Sequence, residues 1–525
     1  MRSLAIIVLV LVMTLPIIGQ TTSVVSENIN NAGSAYYFHQ RKAARTSTGL
    51  LMVVWADLPA TTAGGQIQSS IYDADFQTWS PAAVVSSAGD RAFHPAIAAD
   101  ESGNIHAVWQ QRNTTTENYQ IYYAKYDGAN WSTPMKVSVS TRGEEGTIEV
   151  STTGTIWVVY NNDGSGAGPD EYVYAVNSTD GGTTWSATAE PLSSSGILGG
   201  SIEVARTALA PGPNGKMLAV WDNTATGTGT DYRETYANQF DGFTWRGEEL
   251  VSDSAATTAE NRLGNRYCAG AIDNNSNVYV FYHINRRSAD PLPREIVMHK
   301  KAWDAQWSPV PTTVIESHPT IGQRSICATV DSNDVIHLAY DRDVEADTVY
   351  ALDEIVYTFS ADGGATWSPR EVVSRPDHDG GYTTVANRVR RAYGIDISWR
   401  ESQDPNVGDQ AITAVLHGYI PYSLVNTVEG DLPLTFEPMA NYPNPFNPQT
   451  TLEFTLPERS FVRLSIYDGA GREVVSLVNE ERGAGQYREF WDGTDAHGRR
   501  VASGIYFSRL STTVAVQTVK MVLIK

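Results

Sequence analysis

Short apolar strands that end in an aromatic residue recur along most of the chain. Consecutive aromatic ends are 51–61 residues apart, a spacing that is typical of propeller blades rather than of short solenoids. The seven strands end at Trp55, Trp109, Tyr160, Trp221, Tyr282, Tyr340 and Trp399. A second aromatic residue follows each of the first six strands after 22–27 residues, at Trp79, Trp131, Trp185, Trp245, Trp307 and Trp367.

A strand of small residues and a turn often precede the aromatic strand, as in residues 94–109 and 326–340. Each unit therefore reads as four short strands joined by hairpin turns. The pattern predicts an all-β protein in which residues 30–420 form a β-propeller. Seven aromatic strands favour seven blades, and the six second aromatics leave six blades as the alternative. An N-terminal strand around Ala35–His39 is expected to complete the last unit, roughly residues 391–420, and to cover its edge.

The repeat stops after Ile420, and residues 421–440 read as a linker. Four prolines in residues 441–458 then exclude a helix and favour an extended entry to a strand. Short runs of alternating apolar and polar residues follow, separated by Gly-rich turns. Residues 441–525 are therefore predicted to form a small β-sandwich of antiparallel strands.

The N-terminus carries the pattern of an export signal. Arg2 supplies a positive charge, Leu4–Met13 is an unbroken apolar run, and Pro16 and Gly19 follow it. The run is too short to span a bilayer, so residues 1–19 are predicted to be a cleaved signal peptide of an exported protein. No other stretch is long or apolar enough to span a membrane.

Charge and cysteine content narrow the classes of partner. The 525 residues include 59 Asp and Glu against 38 Lys and Arg, and the net charge of -21 repels phosphate backbones. Nucleic acid is therefore not expected as a partner. Two cysteines exclude a disulfide framework. Cys268 and Cys327 lie 14 and 13 residues before their aromatic ends, so they are predicted to face opposite ways as buried free thiols.

Two turns carry a specific motif. Residues 177–185, NSTDGGTTW, and 359–367, FSADGGATW, match the Asp-box of sialidase-like propellers, S-x-D-x-G-x-T-W. The resemblance implies structural turns on the face opposite the ligand site. In such a turn the Asp accepts backbone N–H groups, the Gly takes a left-handed conformation and the Trp packs on the sheet. The structural Asp-box residues are Ser178, Asp180, Gly182, Trp185, Ser360, Asp362, Gly364 and Trp367.

The other face is predicted to carry a cluster of arginines. Arg91 and Arg142 each lie 18 residues before an aromatic end, and Arg266 and Arg324 each lie 16 before, while Arg388 lies nearby in its own unit. Both offsets are even, so in an extended strand these side chains share a face. Such a ring suits a carboxylate or sulfate on a glycan. The alternative is that the arginines pair with nearby acids and join blades.

The resemblance to sialidases implies three arginines, a Tyr–Glu nucleophile pair and an Asp acid/base. This chain lacks the R-I-P motif that carries the first arginine. The most similar segment is DRAFHP, residues 90–95. Tyr382 is the candidate nucleophile, and no nearby Glu is clearly its base. The incomplete pattern argues against catalysis. No cofactor is predicted, because the acidic loop 341–347 lacks the Gly turn and the distal Glu of an EF-hand; structural calcium is the alternative there.

The C-terminal module resembles the sorting domain of type IX secretion cargo and the Ig-like domain of flagellar hook-capping protein. The matching residues are Asn441–Pro448, Ile466–Arg472, Trp491–Gly493, Ser503–Tyr506, Lys520 and Lys525. The resemblance implies recognition by outer-membrane secretion machinery and a protein that is secreted or held on the outer surface of a Gram-negative-type bacterium.

Three functions fit the sequence. The favoured one is an exported propeller that binds glycans or other surface ligands. The second is an exo-glycosidase of sialidase type, and the third is a structural or adhesive propeller without a small-molecule site.

Overall fold

The strands and turns given below belong to the part of the chain that the computed structural model describes. It covers residues 21–29, 41–57, 65–73, 76–87, 91–112, 118–139, 142–163, 171–194, 202–225, 232–252, 266–285, 294–315, 323–343, 353–375, 379–386, 389, 394–402, 413–420, 440–442, 444–456, 460–482, 485–512 and 516–524. The predicted signal peptide, the strand around Ala35–His39, Arg388 and nearly all of the linker lie outside these ranges.

Within the described residues of 21–420, the strands form seven sheets in which every neighbouring pair is antiparallel. The chain begins with β1 (Thr21–Ile29), which joins the last of these sheets. The first sheet contains β2 (Ala43–Arg45), β3 (Leu51–Asp57), β4 (Gln66–Asp73), β5 (Thr78–Trp79) and β6 (Ala83–Val84). The second contains β7 (Arg91–Ala99), β8 (Ile105–Arg112), β9 (Tyr119–Tyr126) and β10 (Met135–Lys136).

The next three sheets repeat this order of four strands. The third contains β11 (Glu144–Val150), β12 (Ile156–Asp163), β13 (Glu171–Ser178) and β14 (Glu190–Pro191). The fourth contains β15 (Ile202–Pro211), β16 (Met217–Ala225), β17 (Tyr232–Phe240) and β18 (Trp245–Leu250), with a 3-10 turn at Pro213–Gly215. The fifth contains β19 (Arg266–Ile272), β20 (Asn277–Asn285), β21 (Arg294–Ala302) and β22 (Thr312–Ile315).

The last two sheets differ in how their fourth strand is supplied. The sixth contains β23 (Gln323–Val330), β24 (Ile336–Asp343), β25 (Asp353–Ser360) and β26 (Glu371–Val372). The seventh contains β27 (Asp379–Val385), β28 (Ile395–Ser402) and β29 (Thr413–Ile420), and its outer strand is β1. An N-terminal strand therefore completes the last sheet, but it lies earlier in the chain than predicted. The strand is held there because Val24 and Val25 of β1 pack into the hydrophobic clusters on the two sides of the seventh sheet.

The sheets follow one another around a common axis. The first strands of consecutive sheets contact each other from β2 through β7, β11, β15, β19 and β23 to β27, and β28 returns to β2. The aromatic strand ends are buried between the sheets; Trp109 and Trp221 are both 0% exposed. Small residues on the first strands let these sheets meet closely at the axis. This arrangement of antiparallel four-stranded sheets fits a β-propeller.

The C-terminal residues form two further sheets. The first is ordered β30 (Ala440–Tyr442), β31 (Thr450–Leu456) and β34 (Gly485–Trp491). The second is ordered β33 (Glu473–Arg482), β32 (Ser460–Asp468), β35 (Gly504–Ser511) and β36 (Val516–Leu523). Their inner faces share one core that includes Leu452, Leu464, Trp491 and Leu510. Two sheets packed on a common core fit the expected Ig-like sandwich.

Arg41 connects four sheets at the axis. It precedes β2, and its Nη2 donates to the carbonyl of Ala328 on β23 at 2.9 Å while its Nη1 donates to that of Val385 on β27 at 3.0 Å. Its Nε lies 3.4 Å from a carboxylate oxygen of Glu149 on β11, and that side chain is fully buried. One guanidinium group therefore holds the inner strands together from inside the ring.

A second buried ion pair lies where the last sheet meets the first. Arg45 of β2 binds both carboxylate oxygens of Asp396 on β28, at 2.5 and 2.7 Å, and the ring of His417 on β29 lies 2.8 Å from the same carboxylate. Burial raises the pKa of Asp396, but the charge of Arg45 and the hydrogen bonds outweigh it and lower that pKa to about 2. The carboxylate thus links the two ends of the ring of sheets.

Cys268 and Cys327 are both buried, and neither forms a disulfide bond. They belong to different hydrophobic clusters, one between the fourth and fifth sheets and one between the sixth and seventh. The thiols therefore contribute to packing, in agreement with the one-residue offset in the sequence.

The first turn with the box motif is held by its own side chains. Ser178 donates to Asp180 at 2.8 Å, and the backbone N–H of Gly182 donates to the hydroxyl of Ser178 at 2.9 Å. Asp180 also accepts from the backbone of Thr184 at 2.8 Å. Trp185 then packs edge-on against Tyr123 of the preceding sheet, with ring centroids 4.9 Å apart. These contacts are local to the turn and to the boundary between two sheets.

The second turn repeats the same contacts. The pairs are Ser360 with Asp362 at 2.8 Å, Gly364 N–H with Ser360 at 2.8 Å and Thr366 N–H with Asp362 at 2.9 Å. Trp367 meets Phe281 of the preceding sheet edge-on at 6.0 Å. Asp362 and Asp180 are therefore held as hydrogen-bond acceptors of a turn, and their pKa values are lowered, to about 2 at Asp180.

Gly182→Ala tests how tightly this turn docks on the neighbouring sheet. A Cβ atom at Gly182 would lie 1.8 Å from the Tyr123 hydroxyl, which itself contacts His106 at 2.8 Å. We expect a loss of about 2–4 kcal/mol in the free energy of unfolding, from the clash and from the φ of 88°. Gly154→Ala is the matched control, because Gly154 has a φ of 87° and nothing within 4 Å. Equal losses in the two variants, measured by denaturant unfolding, would show that the docking contributes nothing.

Candidate functional site

A β-bulge interrupts the first strand in six of the sheets, close to where that strand begins. At each bulge two residues of the first strand oppose one residue of the second. The bulges fall between Phe93 and Ala96, Glu144 and Thr147, Ala205 and Ala208, Arg266 and Ala269, Gln323 and Ile326, and Gly381 and Thr384. We call the end of the sheets that carries them the bulge face.

The box turns lie at the opposite end. Alternate strands of an antiparallel sheet run in the same direction, so β13 ends at the edge where β11 also ends. The turn after β13 is therefore at the far end from the bulge at the start of β11. We call this end the box face.

The first position of each bulge holds a residue with a reactive or hydrogen-bonding side chain. This set, the bulge ring, consists of His94, Glu145, Arg206, Tyr267, Arg324 and Tyr382. Three members, His94, Glu145 and Tyr382, have positive φ values of 49°, 51° and 60°. Non-glycine residues rarely adopt this conformation, and such strained positions cluster at binding and catalytic sites.

A second set of polar residues lies beside the bulges. The residue that follows each aromatic strand end is polar and at most 4% exposed in six sheets. This polar collar consists of Gln110, Asn161, Asp222, His283, Asp341 and Arg400. Burying polar groups costs free energy unless they bind partners. The bulge face therefore contains several buried polar side chains that the apolar packing between the sheets does not require.

Gln110 connects the bulges of the second and third sheets. Its side-chain oxygen lies 3.1 Å from Nδ1 of His94 and accepts the backbone N–H of Glu145 at 3.2 Å. Burial and the nearby charge of Lys42 lower the pKa of His94 to about 3, outweighing the hydrogen bond to Gln110. His94 is therefore neutral at physiological pH and serves as a hydrogen-bonding group there.

Tyr382 lies against a collar arginine. The guanidinium carbon of Arg400 is 4.8 Å from the centroid of the Tyr382 ring, a distance at which a cation is attracted to the ring face. Tyr382 is half-buried, whereas Arg400 is 3% exposed. The neighbouring Glu401 is fully buried and accepts from Nε of Arg375 at 2.8 Å. Glu401 is thus held by an arginine.

The predicted arginines lie at the beginnings of the first strands. Arg91 is the first residue of β7 and its guanidinium carbon lies 5.1 Å from the Phe93 ring centroid. Arg142 forms an ion pair with Glu144 next to it, which is the local pairing that the alternative interpretation expected. The backbones of Arg266 and Arg324 lie at or near the starts of β19 and β23. A role in ligand binding stays a prediction for all of them.

Most of the bulge ring, and the contact of Arg400 with Tyr382, are absent from the predictions made from the sequence. A common spacing in the sequence nevertheless links four of these residues. Each lies 15 residues before its aromatic strand end: His94, Glu145, Arg206 and Tyr267. The prediction assumed continuous strands, in which only even offsets share a face. A bulge adds one residue and reverses that parity.

Neither a metal site nor a membrane span is found in the described ranges. No group of three or more His, Cys, Asp and Glu side chains in these ranges is arranged to hold a metal ion. The same ranges contain no helix of the length and hydrophobicity that a bilayer crossing needs.

The fold is similar to those of solved polysaccharide lyases. A PL25 ulvan lyase bound to -[GlcA(1-4)Rha3S]- is 12% identical, with a TM-score of 0.53 over 75% of this chain and 95% of its own. The polysaccharide lyase Uly1 is 10% identical, with a TM-score of 0.50 over 72% of this chain and 90% of its own. A Hadza microbial sialidase, Hz136, is 14% identical with a TM-score of 0.42, covering 75% of this chain and 69% of its own. At these identities the likeness to the two lyases defines the fold alone.

The C-terminal module matches a known family. Residues 446–515 match the model of the FlgD Ig-like domain, in agreement with the resemblance drawn from its motifs. No curated protein sequence is detectably similar to the chain.

Proposed function

We propose that this protein is an exported, seven-bladed β-propeller that binds an anionic saccharide at its bulge face. Each of the seven sheets is one blade, and β1 closes the ring. The observation that carries the proposal is the bulge ring, six bulges at one end of the sheets whose first residues are His, Glu, Arg, Tyr, Arg and Tyr. Arginine binds carboxylates and sulfates in two-point fashion, and tyrosine packs on sugar rings while donating a hydrogen bond.

The polar collar supports this assignment. Buried amides, carboxylates and a guanidinium group directly behind the bulge ring would fix its side chains and extend its hydrogen bonds to a saccharide. The lyase with the same fold is bound to a saccharide that contains GlcA and Rha3S, which joins carboxylate and sulfate groups in one ligand. A ligand of this class suits a site with several arginines.

The two ends of the chain suit export. The predicted signal peptide would direct the chain across the inner membrane, and the FlgD-like module would act as a type IX sorting domain read by outer-membrane secretion machinery. The protein would then be released or held on the outer surface of a Gram-negative-type cell, where saccharides are accessible.

Calorimetric titration with ulvan oligosaccharides tests the binding site. The wild-type protein is expected to bind them, with an affinity that falls as salt rises. Arg324→Ala is expected to weaken binding about 10-fold or more, because a hydrogen bond to a charged group contributes about 1.5–3 kcal/mol. Arg246→Ala is the matched control, since Arg246 lies on the outer strand β18 and pairs with Asp304 at 2.7 Å. Equal affinity in both variants would place the site elsewhere, and no binding of any glycan would favour a structural propeller.

A second candidate function is catalysis on the bound saccharide. The strained φ of Tyr382 and its contact with Arg400 favour it, because a phenol can act as a nucleophile or proton carrier beside a cation that balances developing charge. Ultraviolet absorbance would report unsaturated uronate from a lyase, and a fluorogenic sialoside would report a sialidase. Product that forms with the wild type and not with Tyr382→Phe supports catalysis. Binding without either product leaves the protein as a saccharide-binding propeller.

A further inference from the structure

The four-stranded sheet of the C-terminal module has one face that points away from the core. Its inner face contributes Leu464, Leu510 and Met521 to that core. Successive side chains of a strand point to opposite faces, so the positions between these residues on β32, β35 and β36 share the other face. We call it the outer sheet face. An antiparallel sheet with one face on a core usually presents polar residues on the other.

Large apolar side chains lie on the outer sheet face instead. Ile505 and Val522 are directly opposite each other, and Tyr467 is opposite Phe507 in the next row. Of the large apolar side chains that are exposed in the described part of the module, only Phe490 belongs to the other sheet. The rest are 47–58% exposed and follow the alternation of the outer sheet face: Phe461, Ile505, Val516 and Ile524. Contiguous exposed apolar surface marks a membrane or protein interaction site.

Two cations occupy the centre of this face. Lys520 lies directly opposite Phe507, and Arg509 lies two residues further along β35. Arg509 and Lys520 are therefore diagonal neighbours, which are about 7–8 Å apart in a sheet. Both are exposed, and neither forms an ion pair with another described residue. Arg463 is on the same face but pairs with Glu473 at 2.8 Å. Because two like charges at this distance repel each other, the centre of the face favours an anionic partner.

The arrangement differs from that of a protein–protein interface. Such an interface has an apolar centre and a polar rim, and lysine is depleted in it. On the outer sheet face the cations lie in the middle, and the exposed apolar side chains lie towards the two ends, Phe461 and Val516 at one and Ile505 and Ile524 at the other. A second copy bound through the same face would also place cations against cations. A lipid surface has neither conflict.

We propose that the outer sheet face binds a bilayer surface that carries anionic phosphate headgroups. Arg509 and Lys520 would contact the phosphates, and the exposed apolar side chains would enter the boundary between headgroups and acyl chains. Long cationic side chains reach headgroups while their stems stay on apolar surface. The binding strength then combines buried apolar area with the attraction of anionic lipids for Lys and Arg.

The charge of the module permits this contact although the whole chain is acidic. Residues 441–525 contain ten Lys and Arg and nine Asp and Glu, so the excess of acidic residues lies in residues 1–440. The bilayer contact would hold the exported protein on the cell surface. That role rests on the proposed export, whereas binding to vesicles depends neither on export nor on the saccharide site.

Flotation with lipid vesicles tests the proposal on residues 20–525. The predicted signal peptide is left out, because its apolar run would itself enter a bilayer. The protein is expected to float with vesicles of phosphatidylcholine and phosphatidylglycerol, less so as salt rises, and at least 10-fold less with phosphatidylcholine alone. No flotation, or equal flotation with both kinds of vesicle, would overturn the proposal.

Arg509→Gln combined with Lys520→Gln locates the lipid contact. Removing both cations is expected to weaken vesicle binding about 10-fold or more. Lys136→Gln combined with Arg246→Gln is the matched control, because it changes the net charge equally but on the outer strands β10 and β18 of the other sheets. Equal losses in the two double variants would show that only the overall charge matters and would contradict the proposal.

Ile505→Thr tests the apolar part of the contact. Threonine keeps the β-branched shape that suits a strand, and Ile505 is exposed, so the variant should unfold at the wild-type temperature. Vesicle binding is expected to fall several-fold, because less apolar surface leaves water. Sedimentation velocity identifies the alternative occupant. A wild-type dimer that Ile505→Thr converts to a monomer would show that the face binds a second copy instead of a bilayer.

Discussion

Replacing Arg41 by methionine is expected to lower the free energy of unfolding by about 3–5 kcal/mol. The variant keeps much of the side-chain volume but removes two hydrogen bonds, to the carbonyls of Ala328 and Val385. It also leaves the fully buried carboxylate of Glu149 without its cation. Removing one member of a buried ion pair costs more than removing both, because the remaining charge is uncompensated. Denaturant unfolding of the propeller, followed by tryptophan fluorescence, measures the change.

A double variant identifies the origin of this loss. Arg41→Met combined with Glu149→Gln removes both charges, and we expect it to be more stable than Arg41→Met alone. Glu149→Gln alone should be destabilised less than Arg41→Met, because the carbonyl acceptors of Arg41 remain. A loss of less than about 1 kcal/mol in the free energy of unfolding of Arg41→Met, the size expected for a surface substitution, would show that Arg41 does not hold the sheets together.

Asp396→Asn is expected to cost about 3–5 kcal/mol by leaving Arg45 buried without a carboxylate. The stabilisation also depends on pH. The pKa of Asp396 is about 2 in the folded protein, below the value of about 3.9 in an unfolded chain. A carboxyl group whose pKa is lower in the folded than in the unfolded protein stabilises the fold at pH values above its unfolded-state pKa. That stabilisation is lost as the pH falls through the folded-state pKa. The contribution, about 2–3 kcal/mol, is therefore complete above about pH 4 and lost towards pH 2.

Urea unfolding at several pH values separates this effect from the other carboxyl groups. The wild type should lose stability more steeply between about pH 4 and pH 2 than Asp396→Asn does. Parallel curves would mean that Asp396 does not titrate with a lowered pKa. Ser476→Ala, far along the chain on β33 of the C-terminal module, serves as a variant that should leave the acid slope unchanged.

Much of the fold is predictable from local patterns. The aromatic strand ends recur because each must fill the space between two sheets, so their spacing reports the length of one repeat. The motif at residues 177–185 predicts its turn, because Ser178, Asp180 and Gly182 satisfy one another within a few residues. Such short-range requirements are visible in a sequence without knowledge of the neighbouring sheets.

Other features depend on contacts between distant residues. The outer strand of the seventh sheet is β1, and its partner β29 lies almost 400 residues later. An edge strand of Thr, Ser and Val suits many partners, so its sequence does not select one. Arg41 and Glu149 are likewise unremarkable by sequence, and their pairing exists only because the sheets form a ring.

Most of the predicted arginines and the bulge residues with positive φ lie near the starts of the first strands but in different registers. Even offsets group Arg91 and Arg142, and Arg142 pairs with Glu144 beside it. The bulges place His94 and Glu145 at the strained positions instead. A bulge is set by how strands crowd around the axis, which no periodicity in one strand reports. The negative net charge of the chain also gave no indication of Arg400 behind Tyr382.

A crystal structure of the protein with a sulfated uronate oligosaccharide would show directly whether the bulge face binds the saccharide. We expect the saccharide at the bulge face, with a carboxylate or sulfate oxygen within hydrogen-bond distance of Arg324 and a sugar ring against Tyr382. A saccharide bound on the box face, on the outer strands or on the C-terminal module would contradict it.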